Sequence, residues 1–539
     1  MQGLMMNIPL TTNYILEYGN RIFPKKQIIT RQPDGSMHRY TYRDMYKRSM
    51  QLANALTKKL RLKKTDRVAT FAWNNYQHLE LYYGIPAMGG VCHPLNLRLS
   101  VDQITFIVNH AEDQAVFIDA TLLPLFEKVA PNARTIKHYI IINGSAGQPT
   151  TLPGAIHYED LIGDQSETFE YEELHENDAM GMCYTSGTTG DPKGVLYGHR
   201  STFLHANALM SPNATGMGAN DTVLLIVPQF HVMAWGFPFC CILAGANMVM
   251  PGPHLQPAAL AEIVDTEKVT IANGVPTIWM GVLGELKQNP RALPSFKKLI
   301  VGGAAMPKSM TRAYMNDLGI QVIHAWGMTE TSPLGTVSFL QNHHQELDEE
   351  GRLRVLEKQG VEIPGVEIRI VTEDGSVAPR DGKTVGEIQI RGNWIISSYY
   401  KSESENFSSD GWLKTGDVGH LDEDGYMHIT DRTKDLIKSG GEWISSQALE
   451  NAIMAHPGIK EAAVIAIPDE KWTERPLAAV VAADGNPPDA ETLKGLLANV
   501  FAKYQIPDRF VYIEEVPKTS VGKFDKKRLR KMYQDGELK

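Results

Sequence analysis

Cysteine is scarce, with four in 539 residues: Cys92, Cys183, Cys240 and Cys241. One adjacent pair without metal-ligand spacing excludes a disulfide-stapled scaffold and a zinc module, and favours a reducing cytosol. Excess positive charge is also absent. The formal net charge is -9, so no overall field draws the chain to nucleic acid or an anionic membrane. The N-terminal MQGLMMNIPLTTNY has no basic stretch leading into an apolar core, so export is not expected and a cytoplasmic location is. The longest apolar run, 223 to 250, could span a bilayer by length, but two prolines, a histidine, an asparagine and glycines interrupt it. A buried strand, loop and helix fit it better than a membrane helix. Internal repeats and low-complexity segments are lacking.

What is present is enough apolar residue, 43% of the chain, for several cores, in a length that exceeds one ordinary domain. Thr41 and Asp44 form a capping pattern ahead of Leu52, Leu56 and Leu60, and the run 67 to 73 then reads as a buried strand. Further apolar runs at 115 to 119, 138 to 143, 222 to 227, 269 to 275, 298 to 303 and 320 to 327 alternate with helical patterns. Such alternation predicts an α/β fold with parallel sheets covered on both faces. After about residue 350, alternating runs at 366 to 371 and 386 to 392 predict a small antiparallel or barrel-like subdomain. A charged junction, 431 to 443, precedes an expected α+β unit of about 105 residues with strands at 462 to 468, 476 to 483 and 510 to 516 and a helix near 490 to 504. The expected division is a large domain, 1 to 433, and a small mobile one, 434 to 539.

The stretch YTSGTTGDPKGV, 184 to 195, packs three glycines, four hydroxylated side chains from Thr185 to Thr189 and a lysine into one loop. Converging backbone N–H groups and hydroxyls suit a phosphate, although the same residues also make surface turns. It is not the usual P-loop, which needs Gly-Lys followed by Ser or Thr; Lys193 is followed by Gly194.

Six blocks occur in order: 184 to 194, PQFHVMAWG (228 to 236), GGAAMP (302 to 307), HAWGMTE (324 to 330), TGD (415 to 417) with DRTKDLIKSGGEWIS (431 to 445), and PKTSVGKFDKKRLR (517 to 530). Over essentially the whole chain they resemble the adenylate-forming superfamily. The pattern is most similar to its medium- and long-chain fatty acyl-CoA synthetases and the 3-methylmercaptopropionate-CoA ligases. The resemblance implies two half-reactions: a carboxylate attacks the α-phosphate of ATP to give acyl-AMP and pyrophosphate, and CoA then displaces AMP.

On that resemblance, Thr185, Ser186, Gly187, Thr188, Thr189 and Gly190 wrap the phosphates and Lys193 neutralises the leaving pyrophosphate. Thr185 and Glu330 match the Mg2+ positions, with hard oxygen donors suited to that ion. Gly303, Ala304, Ala325, Trp326, Gly327, Met328 and Thr329 flank the nucleotide, Asp417 takes the ribose hydroxyls and Arg432 contacts the nucleotide. Lys523 is the expected catalytic lysine, an ammonium that offsets repulsion between carboxylate and triphosphate. The acyl group is expected beside His231, Trp235, Gly302, Gly303, Trp326 and Pro333, with Trp235 resembling a gate tryptophan. For His231, contact with the carboxylate or the thiol path and a packed core histidine both remain open. The small domain is implied to pivot at Lys434, swinging Lys523 out and bringing the CoA-side loop Lys438, Ser439, Gly440, Gly441 and Trp443 in.

The block at 228 to 236 lacks the carboxylate that an amino-acid-activating relative needs, so an apolar acyl chain fits better. A medium- or long-chain fatty acid is the first expectation and 3-(methylthio)propionate the second. Trp326 stands where Tyr is commoner, which removes a hydroxyl. A free-standing carrier-protein loader, a luciferase-like oxygenase and a non-catalytic nucleotide binder are the rival readings. A homodimer is expected by analogy alone, and no nucleic-acid or integral membrane partner is expected.

Overall fold

The computed structural model describes residues 1, 3–144, 147–185, 192–403, 406–439, 442–483, 487–519 and 523–538. Two large sheets form its first part. A seven-stranded sheet is built on Arg67–Phe71, Val91–Pro94, Asp113–Asp119 and His138–Ile142, all parallel, and ends in an antiparallel hairpin of Ala179–Tyr184 with Gly194–Gly198. The nine-stranded sheet runs parallel through Thr222–Leu224, Asn247–Met250, Ile271–Gly274, Lys298–Gly302 and Gln321–Gly327, with antiparallel strands at both edges. Both sheets are buried on two faces. In Asp113–Asp119, for example, Ala115 and Phe117 join one core while Val116 and Ile118 join another.

Local chemistry sets these elements as anticipated. Thr41 and Asp44 make a reciprocal capping box for the helix Tyr42–Lys58, whose Leu52, Ala53 and Leu56 are fully buried. The apolar run at 223 to 250 is a strand, two short helices and a strand, and no helix among the described residues is long and apolar enough to cross a membrane. The sheets are mixed where uninterrupted parallel pairing was anticipated. Their edge strands were too short, or too polar, to register as apolar runs.

The alternating region is an open antiparallel meander, Val366–Val371, Gly386–Gly392, Leu413–Leu421 and Met427–Arg432 in chain order. From Ile437 the chain builds a separate five-stranded sheet on the long hairpin Ile459–Asp469 with Thr473–Ala482. Alternate residues of that hairpin enter two cores, Ala462 and Val464 on one side and Ala463 and Ile465 on the other, which is why it read as continuous apolar sequence. The helix anticipated to residue 504 ends at Ala498, where Val500 and Phe501 fold back on the Leu497 carbonyl.

Candidate active site

A cleft of about 1340 Å³ opens where the nine-stranded sheet, the meander and the C-terminal unit meet. Its floor is the end of Lys298–Gly302. Gly303 has φ +81, which favours glycine, and a Cβ there would lie 3.3 Å from Val275; the Lys523 side chain packs over the same position at an ordinary contact distance of 3.7 Å. Gly327 ends the neighbouring strand, and a Cβ would sit 1.7 Å from the Pro333 carbonyl oxygen. Between these glycines, Ala325 and Trp326 form the wall, continued by Met328, Thr329 and Pro333. Ala304, expected in that wall, is exposed beside it because the chain has already turned away after Gly303.

Trp326 reaches across 91 residues of sequence. Its indole Nε1–H donates to Asp417 Oδ2 at 3.0 Å, while Asp417 Oδ1 lies 3.2 Å from Arg432 Nε. Asp417 is only 5% exposed, and Arg432, from the adjacent meander strand, lines the cleft.

The glycine-rich loop leaves the sheet from the hairpin of Ala179–Tyr184 and Gly194–Gly198. Thr185 and Lys193 close its neck: the Thr185 N–H donates to the Lys193 carbonyl at 2.9 Å, and the Lys193 N–H donates to Thr185 Oγ1 at 3.2 Å. Ser186, Gly187, Thr188, Thr189 and Gly190 lie outside the described residues. Lys193 Nζ stands 4.8 Å above the Tyr399 ring, and the Tyr399 hydroxyl donates to Glu330 Oε1 at 2.7 Å. Burial raises the Glu330 pKa, and the Tyr399 hydrogen bond opposes that rise. Tyr399 was missed from sequence because two tyrosines in SSYYKS carry no periodicity or motif that separates them from packing residues.

Residues Val232, Met233, Ala234 and Trp235 form a left-handed turn, with φ of 47°, 50°, 52° and 56°. Left-handed helical geometry costs roughly 1–2 kcal/mol per L-residue, so packing must hold this turn in place. It does so by burying all four side chains, with Trp235 laid against Gly302 and Gly303. Trp235 and His231 both line the cleft. Burial, with Lys523 and Arg98 adding to it, pushes the His231 pKa down to about 3, so its imidazole is neutral. Leu209, Phe237, Ile300 and Leu334 add apolar surface to the same lining.

Lys523 enters from the C-terminal unit. Thr519 braces it by donating its N–H to the Lys523 carbonyl at 2.7 Å and accepting the Lys523 N–H at 3.2 Å. Enclosure pushes the ammonium down to about 8; Arg432 reinforces the shift, and Asp417 and Glu330 oppose it. One pair of bonds, from Ser446 to Asp431, crosses the junction, and the other contacts brace the C-terminal unit itself. Asp431 Oδ2 accepts from the N–H and hydroxyl of Ser446 at 2.6 and 2.5 Å, Lys526 Nζ lies 2.7 Å from Glu450, and Arg530 bonds Asp435 and the Lys434 carbonyl.

The expected CoA-side residues are elsewhere. Ile437–Ser439 and Glu442–Ile444 form a hairpin on the small sheet, where Trp443 is 41% exposed with Lys438 Nζ 4.8 Å from its ring, and Ser439 is buried beside Arg475. Lys438, Ser439 and Trp443 do not line the cleft, and Gly440 and Gly441 lie outside the described residues.

A second group of ligand-type side chains, His343, His344 and Asp424, converges at the surface. His344 Nδ1 accepts the Gln341 N–H at 3.2 Å, which leaves its proton on Nε2 facing Asp424 at 3.3 Å. This is a hydrogen-bonded corner, since a neutral imidazole in that tautomer has no Nε2 lone pair for a cation.

The chain matches the AMP-binding enzyme model over residues 17–400 and the AMP-binding enzyme C-terminal domain over 448–523. It belongs to the AMP-binding enzyme family. It is 43% identical to the 3-methylmercaptopropionyl-CoA ligase of Ruegeria lacuscaerulensis over 99% of both chains. It is 42% identical to the medium-chain-fatty-acid–CoA ligase of Ectopseudomonas oleovorans, over 99% of this chain and 98% of that one. Its fold matches the crystal structure of the anthranilate CoA ligase AuaEII in complex with anthranoyl-AMP, with TM-score 0.87, 24% identity and full coverage of both chains.

Proposed function

We propose that the protein is an ATP-dependent, AMP-forming carboxylic acid:CoA ligase acting on an aliphatic acid, a medium- or long-chain fatty acid first. The observation that carries this is the meeting of Lys523 with Gly303, Trp326, Glu330 and Arg432 in one cleft that is also lined by Trp235, Leu209, Phe237 and Leu334.

In the first half-reaction, the substrate carboxylate lies between Lys523 and the α-phosphate of ATP. The ammonium offsets the repulsion of two anions and fixes the line of attack. Binding those anions favours the charged lysine and reverses the lowering that enclosure imposes. A carboxylate oxygen bonds phosphorus, the pyrophosphate bond breaks, and Lys193 with the hydroxyl-rich loop follows the charge that builds on pyrophosphate. Asp417 accepts the ribose hydroxyls. Glu330 and Thr185 offer the hard oxygens that suit Mg2+, which lowers phosphate repulsion when bound. Tyr399 links these two sides by bonding Glu330 and stacking under Lys193. In the second half-reaction the CoA thiolate attacks the acyl carbonyl and AMP leaves. His231, pushed down to about 3, is too weak a base to take a thiol proton, and its proposed part is contact with the carboxylate or the thiol path. A rotation about Lys434 replaces Lys523 with the hairpin of Lys438 and Trp443. A cytoplasmic homodimer is the proposed setting.

A short thioether acid is the second reading, favoured by the 43% identity to a 3-methylmercaptopropionyl-CoA ligase. ATP–pyrophosphate exchange with 3-(methylthio)propionate, butyrate, octanoate, palmitate, benzoate and amino acids, followed by AMP release with and without CoA, tests both. Exchange with an aliphatic acid and CoA-dependent AMP release is expected. Exchange only with amino acids, or turnover indifferent to CoA, would overturn the proposal.

A further inference from the structure

Trp326 brings an indole N–H to the cleft, and that N–H is used. We infer that Trp326 is a positioning residue for ribose recognition: its Nε1–H fixes the Asp417 carboxylate so that Asp417 can read the ribose hydroxyls of ATP. This rests on the proposed ligase reading and on Asp417 as the ribose acceptor.

Three observations carry it. Trp326 Nε1 lies 3.0 Å from Asp417 Oδ2, with both groups buried. The ring cannot tilt freely, because a Cβ built on Gly335 would lie 2.6 Å from it; the glycine marks how tightly the indole is backed. The other carboxylate oxygen, Oδ1, pairs with Arg432 Nε at 3.2 Å, and the Arg432 side chain is half-exposed at the cleft. One oxygen is therefore held from the closed side by an uncharged, rigid donor, and the other faces a cation that can shift. An ionised carboxylate has about four acceptor directions, so each oxygen keeps one for a ribose hydroxyl after spending one on the protein. Without the indole bond, Oδ2 would be a buried acceptor lacking its donor, and the carboxylate could rotate toward Arg432. Phenylalanine keeps the ring and loses only that donor.

The test is a comparison of kcat/KM for ATP and for 3′-deoxyATP in the pyrophosphate-exchange reaction, for the intact protein and for Trp326→Phe, Asp417→Asn and the double variant. The intact protein is expected to prefer ATP by tenfold or more, about what an unpaired buried acceptor costs. Trp326→Phe is expected to lose most of that preference, mainly through the KM for ATP, and to add little further loss on top of Asp417→Asn. If Trp326 only packs against the base, Trp326→Phe will weaken ATP and 3′-deoxyATP alike and its preference will be unchanged, which overturns the inference. If the intact protein itself shows no preference, Asp417 is not the ribose acceptor, and the underlying reading fails instead. Circular dichroism and thermal melting of each variant separate loss of fold from loss of discrimination.

Discussion

Two parts of the C-terminal unit meet different surroundings. Lys523 is enclosed beside Gly303 and Arg432, whereas the hairpin bearing Lys438 and Trp443 stands on the same small sheet with its tryptophan in solvent. Both segments are expected to serve one cleft, and a rigid unit can present only one of them at a time. On the proposed reading, this arrangement is the one suited to making the adenylate. The bond from Ser446 to Asp431 crosses the junction, whereas Arg530 and Asp435 both belong to the C-terminal unit. The difference is that one C-terminal unit carries both segments, one enclosed in the cleft and the other outside it.

Breaking the lysine side of this comparison should have the largest effect. Lys523→Ala is expected to lower kcat/KM for the overall reaction by about 10²–10³-fold, the usual size for removing a preorganised charge at the reacting centre. Steady-state assays of AMP release check this. Loosening the large-domain side should cost less. Tyr399→Phe removes a hydroxyl that bonds Glu330 while keeping the ring under Lys193, and is expected to raise the KM for Mg-ATP by roughly tenfold, the scale of one hydrogen bond to a charged group. An unchanged KM in a titration at saturating acid would remove Tyr399 from the site.

The pH dependence sharpens the same contrast. Lys523 is useful as an ammonium, and enclosure pushes it down to about 8 in the nucleotide-free protein. Above that pH the free protein loses the charge, so kcat/KM for ATP is expected to fall as pH rises through about 8. In the complex the phosphates favour the charged form, so kcat should hold to higher pH. Parallel profiles of the two constants would contradict this. The smallest effect expected is at Ala234, in the left-handed turn. Ala234→Gly should be neutral or stabilising by about 1 kcal/mol there, against a cost of about 1 kcal/mol in a right-handed helix. Calorimetric melting checks the sign.

Much of this was legible in sequence. The six ordered blocks supply the larger part of the cleft lining, because reacting groups are carried by loops whose glycines, hydroxyls and lysines are distinctive, but not residues such as His110, Glu387, Tyr399 and Lys414. The two-faced burial of the sheets was legible as continuous apolar runs. What was hidden depends on contacts between distant segments. Nothing near Trp326 announces that its N–H meets Asp417, and nothing in SSYYKS announces that Tyr399 meets Glu330. The left-handed turn was hidden for another reason: Val, Met, Ala and Trp have no local preference for positive φ, so tertiary packing alone imposes it. The placement of Lys438 and Trp443 outside the cleft depends on how the small sheet packs, which motifs do not encode.

The central claim is that Lys523 and the Trp443 hairpin serve separate half-reactions. The most direct measurement follows each half-reaction alone in Lys523→Ala and Trp443→Ala: pyrophosphate exchange for the first, and thioester formation from supplied acyl-AMP and CoA for the second. The account predicts that Lys523→Ala loses exchange but still converts acyl-AMP, and that Trp443→Ala keeps exchange and slows conversion. Loss of the same half-reaction in both variants would contradict it.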